Sequence, residues 1–245
     1  MTDAARHPSR GLARAIIVAA TLALVALFVG LGIWQIERRS WKHQLIATVD
    51  ARIHAPPVPA PGVERWDGIT QASDGYRHVS VTGQFLHGHD TLVKAVTERG
   101  AGYWVMTPFD TGAFVVLVNR GFVPLERRDA VGREPAAPST ITGLLRVSEP
   151  GGGFLRHNDP AADRWYSRDV AAIARARRLG RIAPYFIDAD AAPDRESYPV
   201  GGLTVVRFPD NHMTYALTWF ALAGLSAWGG WRVLREKRPQ PETRR

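Results

Sequence analysis

Residues 15–34, AIIVAATLALVALFVGLGIW, decide how the rest of this 245-residue chain is read. Twenty residues pass without a charge, and as a helix they run about 30 Å, the thickness of a bilayer's hydrocarbon core. A cleaved signal peptide is the alternative. The apolar run is longer than a signal core usually is, and it continues into Gly32-Ile33-Trp34-Gln35 rather than a small-residue cleavage site. The segment predicts a transmembrane helix over residues 15–36.

A second uncharged run, MTYALTWFALAGLSAWGGW, occupies residues 213–231. A buried core helix is the plain reading, but Tyr215 and Trp219 stand near one end and Trp228 and Trp231 at the other, as interfacial anchors do. Trp34 and Trp41 mark the outer end of the first run in the same way. Arg6, Arg10 and Arg14 precede the first span, and a basic cluster from Arg232 follows the second. Basic flanks favour the cytoplasmic side, and long intervening segments are translocated largely regardless of charge. The expected layout is a cytoplasmic tail (1–14), a first span (15–36), an extracytoplasmic domain (37–212), a second span (213–231) and a basic cytoplasmic tail (232–245). Fourteen residues ahead of the first span are too few for a mitochondrial transit peptide, so a bacterial inner membrane with a periplasmic central domain is favoured. Small residues at i, i+4 (Ala19/Ala23, Ala26/Gly30, Ala223/Ala227, Ser226/Gly230) would permit close packing of the two helices.

The net charge of +8 and pI near 10.4 invite a nucleic-acid reading, but the distribution removes it. Residues 37–212 carry only +2, and the other three quarters of the excess lies in the two end segments, off any folded face that could track phosphates. The absence of cysteine excludes a disulfide framework, a thiolate metal site, a CxxC redox pair and covalent c-type haem attachment. With Met1, Met106 and Met213 as the only thioethers, a copper-carrying role is disfavoured.

Between the spans, residues 51–68 are proline-rich and read as an extended connector. Strand patterns follow at His78–Phe85, Thr91–Val96, Tyr103–Phe109, Phe114–Asn119, Thr140–Val147 and Leu203–Phe208, separated by Gly- and Asp-containing turns. Their spacing predicts a mainly antiparallel sheet able to close or half-close into a barrel. One helix interrupts it, capped by Ser167 or Asp169 and running through Val170, Ile173 and Leu179 to Gly180. The fold class is a two-span membrane protein with an α+β, strand-dominated outer domain.

No G-x-S-x-G, P-loop or H-E-x-x-H occurs, so no enzymatic machinery is expected. Asp188, Asp190 and Asp194 imitate the start of a calcium loop, but prolines stand where its glycine and bidentate glutamate belong. Histidines remain as ligands. His87 and His89 flank a glycine at a hairpin tip, where a plain turn competes with metal or haem ligation. His212 stands at the outer threshold of the second span, after the cap residues Asp210 and Asn211, and shares a helical face with Tyr215, Ala216 and Trp219. Two readings stand for it: an interfacial histidine that caps or anchors the helix, which physics alone puts ahead, and an axial imidazole for haem.

The first span exits through Gly32-Ile33-Trp34-Gln35-Ile36-Glu37-Arg38-Arg39-Ser40-Trp41-Lys42. The later blocks are His78–His87, Gly102–Phe109, Val118–Pro124 and Asn211–Phe220. These five blocks, in this order on a two-span layout, resemble the Surfeit locus protein 1 family of cytochrome c oxidase assembly factors. The resemblance covers Gly32 to Phe220. It implies help in building haem-copper oxidase by handling haem a, with the oxidase catalytic subunit and membrane lipid as partners and no nucleic acid. It also implies haem a binding through the histidine that opens the second span, here His212, which favours the ligand reading. Tyr215 and Trp219 would line the porphyrin edge, and haem a would be held only in passing. Arg38 could pair with a haem propionate or a lipid phosphate, and His87 is a secondary candidate. The competing expectation is a structural chaperone that grips an oxidase subunit without transferring haem.

Overall fold

The computed structural model describes residues 10–131, 137–153, 155–191, 198–204 and 210–235. Most of the expected strand Leu203–Phe208, the aspartate at 194 and the basic cluster beyond Arg235 lie outside the described residues; Leu203 and Thr204 are not in a strand. The chain divides into two compact units, Met1–Ile46 with Arg207–Arg245 and Ala47–Val206.

The first unit is helical. Helix α1 (Arg10–His54) begins in it, and the unit's other helix, α3, is His212–Arg235. Among the described residues α1 is the one helix long and apolar enough to cross a membrane. Only 6% of its most apolar window is buried, whereas the core helix of a soluble protein would be mostly covered. The exposed apolar surface points to a membrane association. Helix α3 falls short on the same measure, because its tryptophans, threonines and glycines lower its mean hydropathy.

These helices run antiparallel, as their contacts show. Thr21 meets Gly230, Phe28 stacks on Trp219, Gly32 meets Phe220, and Arg39 meets Asp210. A Cβ on Gly32 would lie 2.6 Å from the Phe220 ring, and one on Gly230 would lie 2.5 Å from the Thr21 side chain, so both glycines permit close approach. The small residues at this seam match those the sequence suggests only in part, at Ala223 and Gly230 of α3. Ala216, Ala223 and Gly230 are buried, while Ala19, Ala23, Ala26, Gly30 and Ala227 face outward.

The second unit is a small barrel. In chain order its strands are β1 (Val58–Pro59), β2 (His78–Phe85), β3 (Thr91–Thr97), β4 (Gly100–Asp110), β5 (Val115–Pro124), β6 (Ser139–Val147), β7 (Gly152–Gly153), β8 (Arg156–His157) and, after helix α2 (Val170–Arg177), β9 (Ile182–Ala189). The sheet order is β1-β2-β6-β9-β5-β4-β3, and β2 also pairs with β4 through Gln84–Asp110 and Phe85–Phe109. The ring β2-β6-β9-β5-β4 is thereby closed, with β1 and β3 paired on its outside as the terminal strands. Most pairs are antiparallel, but β5–β9 and β1–β2 are parallel.

Strand β9 carries no clean two-residue alternation because both of its faces are covered. Ala183, Tyr185 and Ile187 pack with Val79, Phe109 and Val118 in one cluster, while Phe186 packs with Trp165 and Ile173 in another. Pro184 is tolerated because the β5–β9 register shifts there, between Val115–Ile182 and Leu117–Phe186. Burial pushes the Tyr185 phenol above its ordinary range, and its O–H donates to the Pro61 carbonyl at 2.7 Å. Helix α2 is capped by Asp169, which accepts from the Ala172 N–H at 2.9 Å, and it ends with Arg178 in the left-handed conformation rather than at Gly180. Ser167 takes no part in that cap; its side chain accepts from the Asn158 amide at 3.0 Å. Residues 51–68 hold the last turn of α1, strand β1 and a 3-10 turn (Val63–Gly68) whose Trp66 packs on the barrel core.

Candidate functional site

The helical seam ends in a cluster of polar side chains. Gln35 sits where the apolar run of α1 gives way to charge, and it is only 9% exposed. An amide without a partner there would be costly. Its Oε1 lies 2.7 Å from Nδ1 of His212, the first residue of α3. A carboxamide oxygen can only accept, so Nδ1 of His212 donates. The neutral ring then carries its proton on Nδ1 and keeps the lone pair on Nε2.

The residue before Asn211 does the capping. Asp210 Oδ1 accepts from the backbone N–H of His212 at 3.1 Å, while its Oδ2 accepts from His43 Nε2 at 2.7 Å and faces Arg39 Nε at 3.6 Å. The His43 hydrogen bond, then the His212 N–H and the Arg39 charge, hold the Asp210 carboxyl below the usual carboxylate range. The imidazole of His212 is thus not used to cap its own helix.

The other sequence candidates are distributed around this pair. Trp219 lies two turns along the same face of α3, stacked on Phe28 with centroids 5.8 Å apart. Its indole N–H is buried and has no acceptor among the described residues. Tyr215 is 55% exposed, so it turns away from the seam. Arg38 is exposed on α1 and stacks over Trp41 at 4.2 Å; its neighbour Arg39 is the arginine that reaches the seam. His87 belongs to the barrel unit, at the turn after β2, where its ring lies 5.6 Å from Phe85 and its Nδ1 is buried without a partner among the described residues. His212 and Trp219 are therefore brought onto one seam, and Gln35 joins them. Gln35 stands in the first block quoted from the sequence, which does not name its partner, but a glutamine at the end of an apolar run is a signal that a partner must exist.

The barrel unit holds a second charged group, between β5, β6, β9 and the segment before α2. Asp188 is 3% exposed and accepts from Asn119 Nδ2 (2.8 Å), Arg146 Nη1 (2.8 Å), Arg168 Nη1 (3.3 Å) and Thr204 Oγ1 (3.0 Å). Glu149 accepts two further bonds from Arg168, at 3.0 and 2.6 Å. A cavity of about 250 Å³ opens beside them. Two guanidinium groups face two carboxylates, and both Asp188 oxygens are engaged. The arrangement cross-links β5, β6, β9 and the segment before α2. Among the described residues, no group of three or more histidines and carboxylates forms a metal-binding cluster.

Comparison with known proteins places this geometry in context. A family profile described as "SURF1 family" matches residues 22–224, a span that includes both Gln35 and His212. The chain is 34% identical over 239 residues to the Surfeit locus protein 1 of Rattus norvegicus, covering 89% of this chain and 76% of the rat protein. It is 32% identical over 220 residues to that of Homo sapiens, covering 81% and 71%. A SURF1-like protein of Monosiga brevicollis is 33% identical over 237 residues, covering 89% and 87%.

Proposed function

The chain belongs to the SURF1 family, and on that premise we propose that it is a non-enzymatic assembly factor for haem-copper oxidase. It holds haem a at the outer face of a bacterial inner membrane and passes it to the oxidase catalytic subunit. Helices α1 and α3 cross the bilayer as a pair with both termini in the cytoplasm. The exposed rings of Trp34, Trp41, Tyr215, Trp228 and Trp231 supply the interfacial anchors. The barrel unit is periplasmic and presents the surface for the oxidase subunit.

The observation that carries this reading is the state of His212. Its ring is held by Gln35 through Nδ1 rather than spent on capping, which leaves Nε2 as an imidazole donor of the kind haem iron takes. The donor set therefore fits the cargo. When bound, haem a would supply an iron with an open axial position for that nitrogen. The unpaired N–H of Trp219 suits a carbonyl or carboxylate on the macrocycle edge.

The experiment is an absorption spectrum of the full chain purified from haem a-producing cells, beside His212→Ala. The variant is expected to lose the bound haem. Equal haem in both would remove the role of His212. Oxidase assembly that survives His212→Ala but fails when the barrel strands are altered would favour a subunit-gripping chaperone instead. Release of the chain by alkaline carbonate, or a periplasmic signal from a reporter at either terminus, would overturn the two-span topology.

A further inference from the structure

His212 and Gln35 stand 177 positions apart in sequence, so their hydrogen bond exists only when α1 and α3 are paired. Histidine ligands to metals are commonly oriented through the other ring nitrogen by a carboxylate, a backbone carbonyl or water. A carboxylate in that position draws the Nδ1 proton towards itself, makes the ring more basic and strengthens the metal–nitrogen bond. The partner here is a carboxamide. It fixes the tautomer and the ring plane equally well, but it carries no charge.

We propose that Gln35 is a positioning residue that selects the iron-binding tautomer of His212 and, being uncharged, keeps the resulting axial bond weak enough to release haem. This rests on the haem reading above and assigns the release property to a second side chain. The logic is chemical. A carrier must hold its cargo with a correctly presented donor and then let go. A neutral histidine on its own favours the opposite tautomer, with the proton on Nε2, which cannot bind iron until it shifts. Gln35 removes that step without adding the negative charge that would slow departure. Its burial protects the bond from competition by water.

The test has one arm without haem and one with it. In the first, the full chain carrying 15N-labelled histidine is examined in detergent micelles by long-range 1H–15N correlation, which reports the protonated ring nitrogen. His212 is expected to be protonated on Nδ1, and near-isosteric Gln35→Met is expected to shift it towards the Nε2–H form. An unchanged tautomer would overturn the positioning role, whatever haem does.

In the second arm, haem-loaded protein is mixed with excess apomyoglobin as acceptor, and the transfer rate is read from the spectrum. Gln35→Met should release haem faster by about 10–100-fold, the range for removing a ligand's orienting partner. Gln35→Glu should release it more slowly than wild type and lower the reduction potential of the bound iron. Equal rates for all three, with the tautomer shifted in Met, would sink the claim about release but leave the haem reading standing. Retention of haem by His212→Ala would sink the haem reading while leaving the tautomer result intact. Far-UV circular dichroism of each variant reports whether the helices persist, and Gln35→Glu keeps the test open if Gln35→Met does not fold.

Discussion

Replacing Asp188 with asparagine keeps the side chain's shape and one of its acceptor oxygens but removes its charge. The carboxylate is 3% exposed, and the guanidinium groups it faces belong to side chains only 16% (Arg146) and 14% (Arg168) exposed. Solvent therefore does little to screen the loss. Breaking a buried ion pair by removing one partner costs about 3–5 kcal/mol. The lower end applies here, because Arg168 keeps its two bonds to Glu149 and Arg146 retains Glu149 at 3.7 Å and the ring of Tyr76 at 4.8 Å. A loss of about 3 kcal/mol in a chain of this size lowers the thermal midpoint by about 6–12 °C. The assay is denaturant unfolding of the full chain in detergent, followed by near-ultraviolet circular dichroism. The double variant Asp188→Leu with Arg146→Met discriminates charge from packing. Removing both members of a buried pair is often close to neutral, so the double variant should be more stable than Asp188→Leu alone. An Asp188→Asn chain within about 1 kcal/mol of wild type would refute the reasoning, since the network would then contribute nothing beyond its hydrogen bonds.

Three further outcomes are expected. Gly121 has φ +130°, and a Cβ there would lie 2.2 Å from the Val200 backbone, so Gly121→Ala should destabilise the chain by more than about 2 kcal/mol in denaturant unfolding. Burial opposes protonation of His78, but its bonds to the Ala55 carbonyl (2.8 Å) and to Asp190 (3.0 Å) outweigh it and raise its pKa. The stabilisation it gives is then complete below about pH 6.5 and is lost as pH rises through the raised value. The stability gap between wild type and His78→Gln should accordingly be constant below about pH 6.5 and narrow above it in parallel unfolding curves. Trp219→Phe preserves the stack on Phe28 and deletes a buried N–H that has no acceptor, so the haem-free chain should unfold at a midpoint equal to or above wild type. A clear loss of stability would mean that the indole N–H is satisfied.

The parts of the fold that read well from the sequence are those with one wet face. Strand β2 alternates against solvent at its start, and the bounds of β2 and β6 follow the sequence pattern within a residue. Strand β9 could not be read that way. It is covered on both faces, it carries Pro184 at a register shift, and its aspartate is buried rather than outward, so each local cue argued against a strand. The extension of β5 through Arg120-Gly121-Phe122 was hidden for a related reason. Gly121 is demanded by the close pass of Val200, a contact of tertiary origin that strand propensity does not register.

The site divides along the same line. His212 was visible because a titratable residue at the threshold of an apolar run is conspicuous wherever it occurs. Its partner was not, because small-residue spacing found the seam on α3, at Ala223 and Gly230, but not on α1, where Ala19, Ala23, Ala26 and Gly30 face outward. In a chain so rich in alanine, i, i+4 pairs of small residues fall on every face. The polar side chains are the scarcer and better signal. Between residues 15 and 36 only Thr21, Trp34 and Gln35 can form side-chain hydrogen bonds, and two of those three face α3 in the paired helices. In an antiparallel pair the residue numbers of contacting partners add to a nearly constant total. Thr21 against Gly230 therefore already places Gln35 against the first turn of α3. A buried amide must find a partner near the end of that register, and the imidazole of His212 is the ring that meets it there. The same physical demand that makes a buried glutamine costly without a partner thus ties the two helices together and sets the imidazole proton on Nδ1, leaving the lone pair on Nε2.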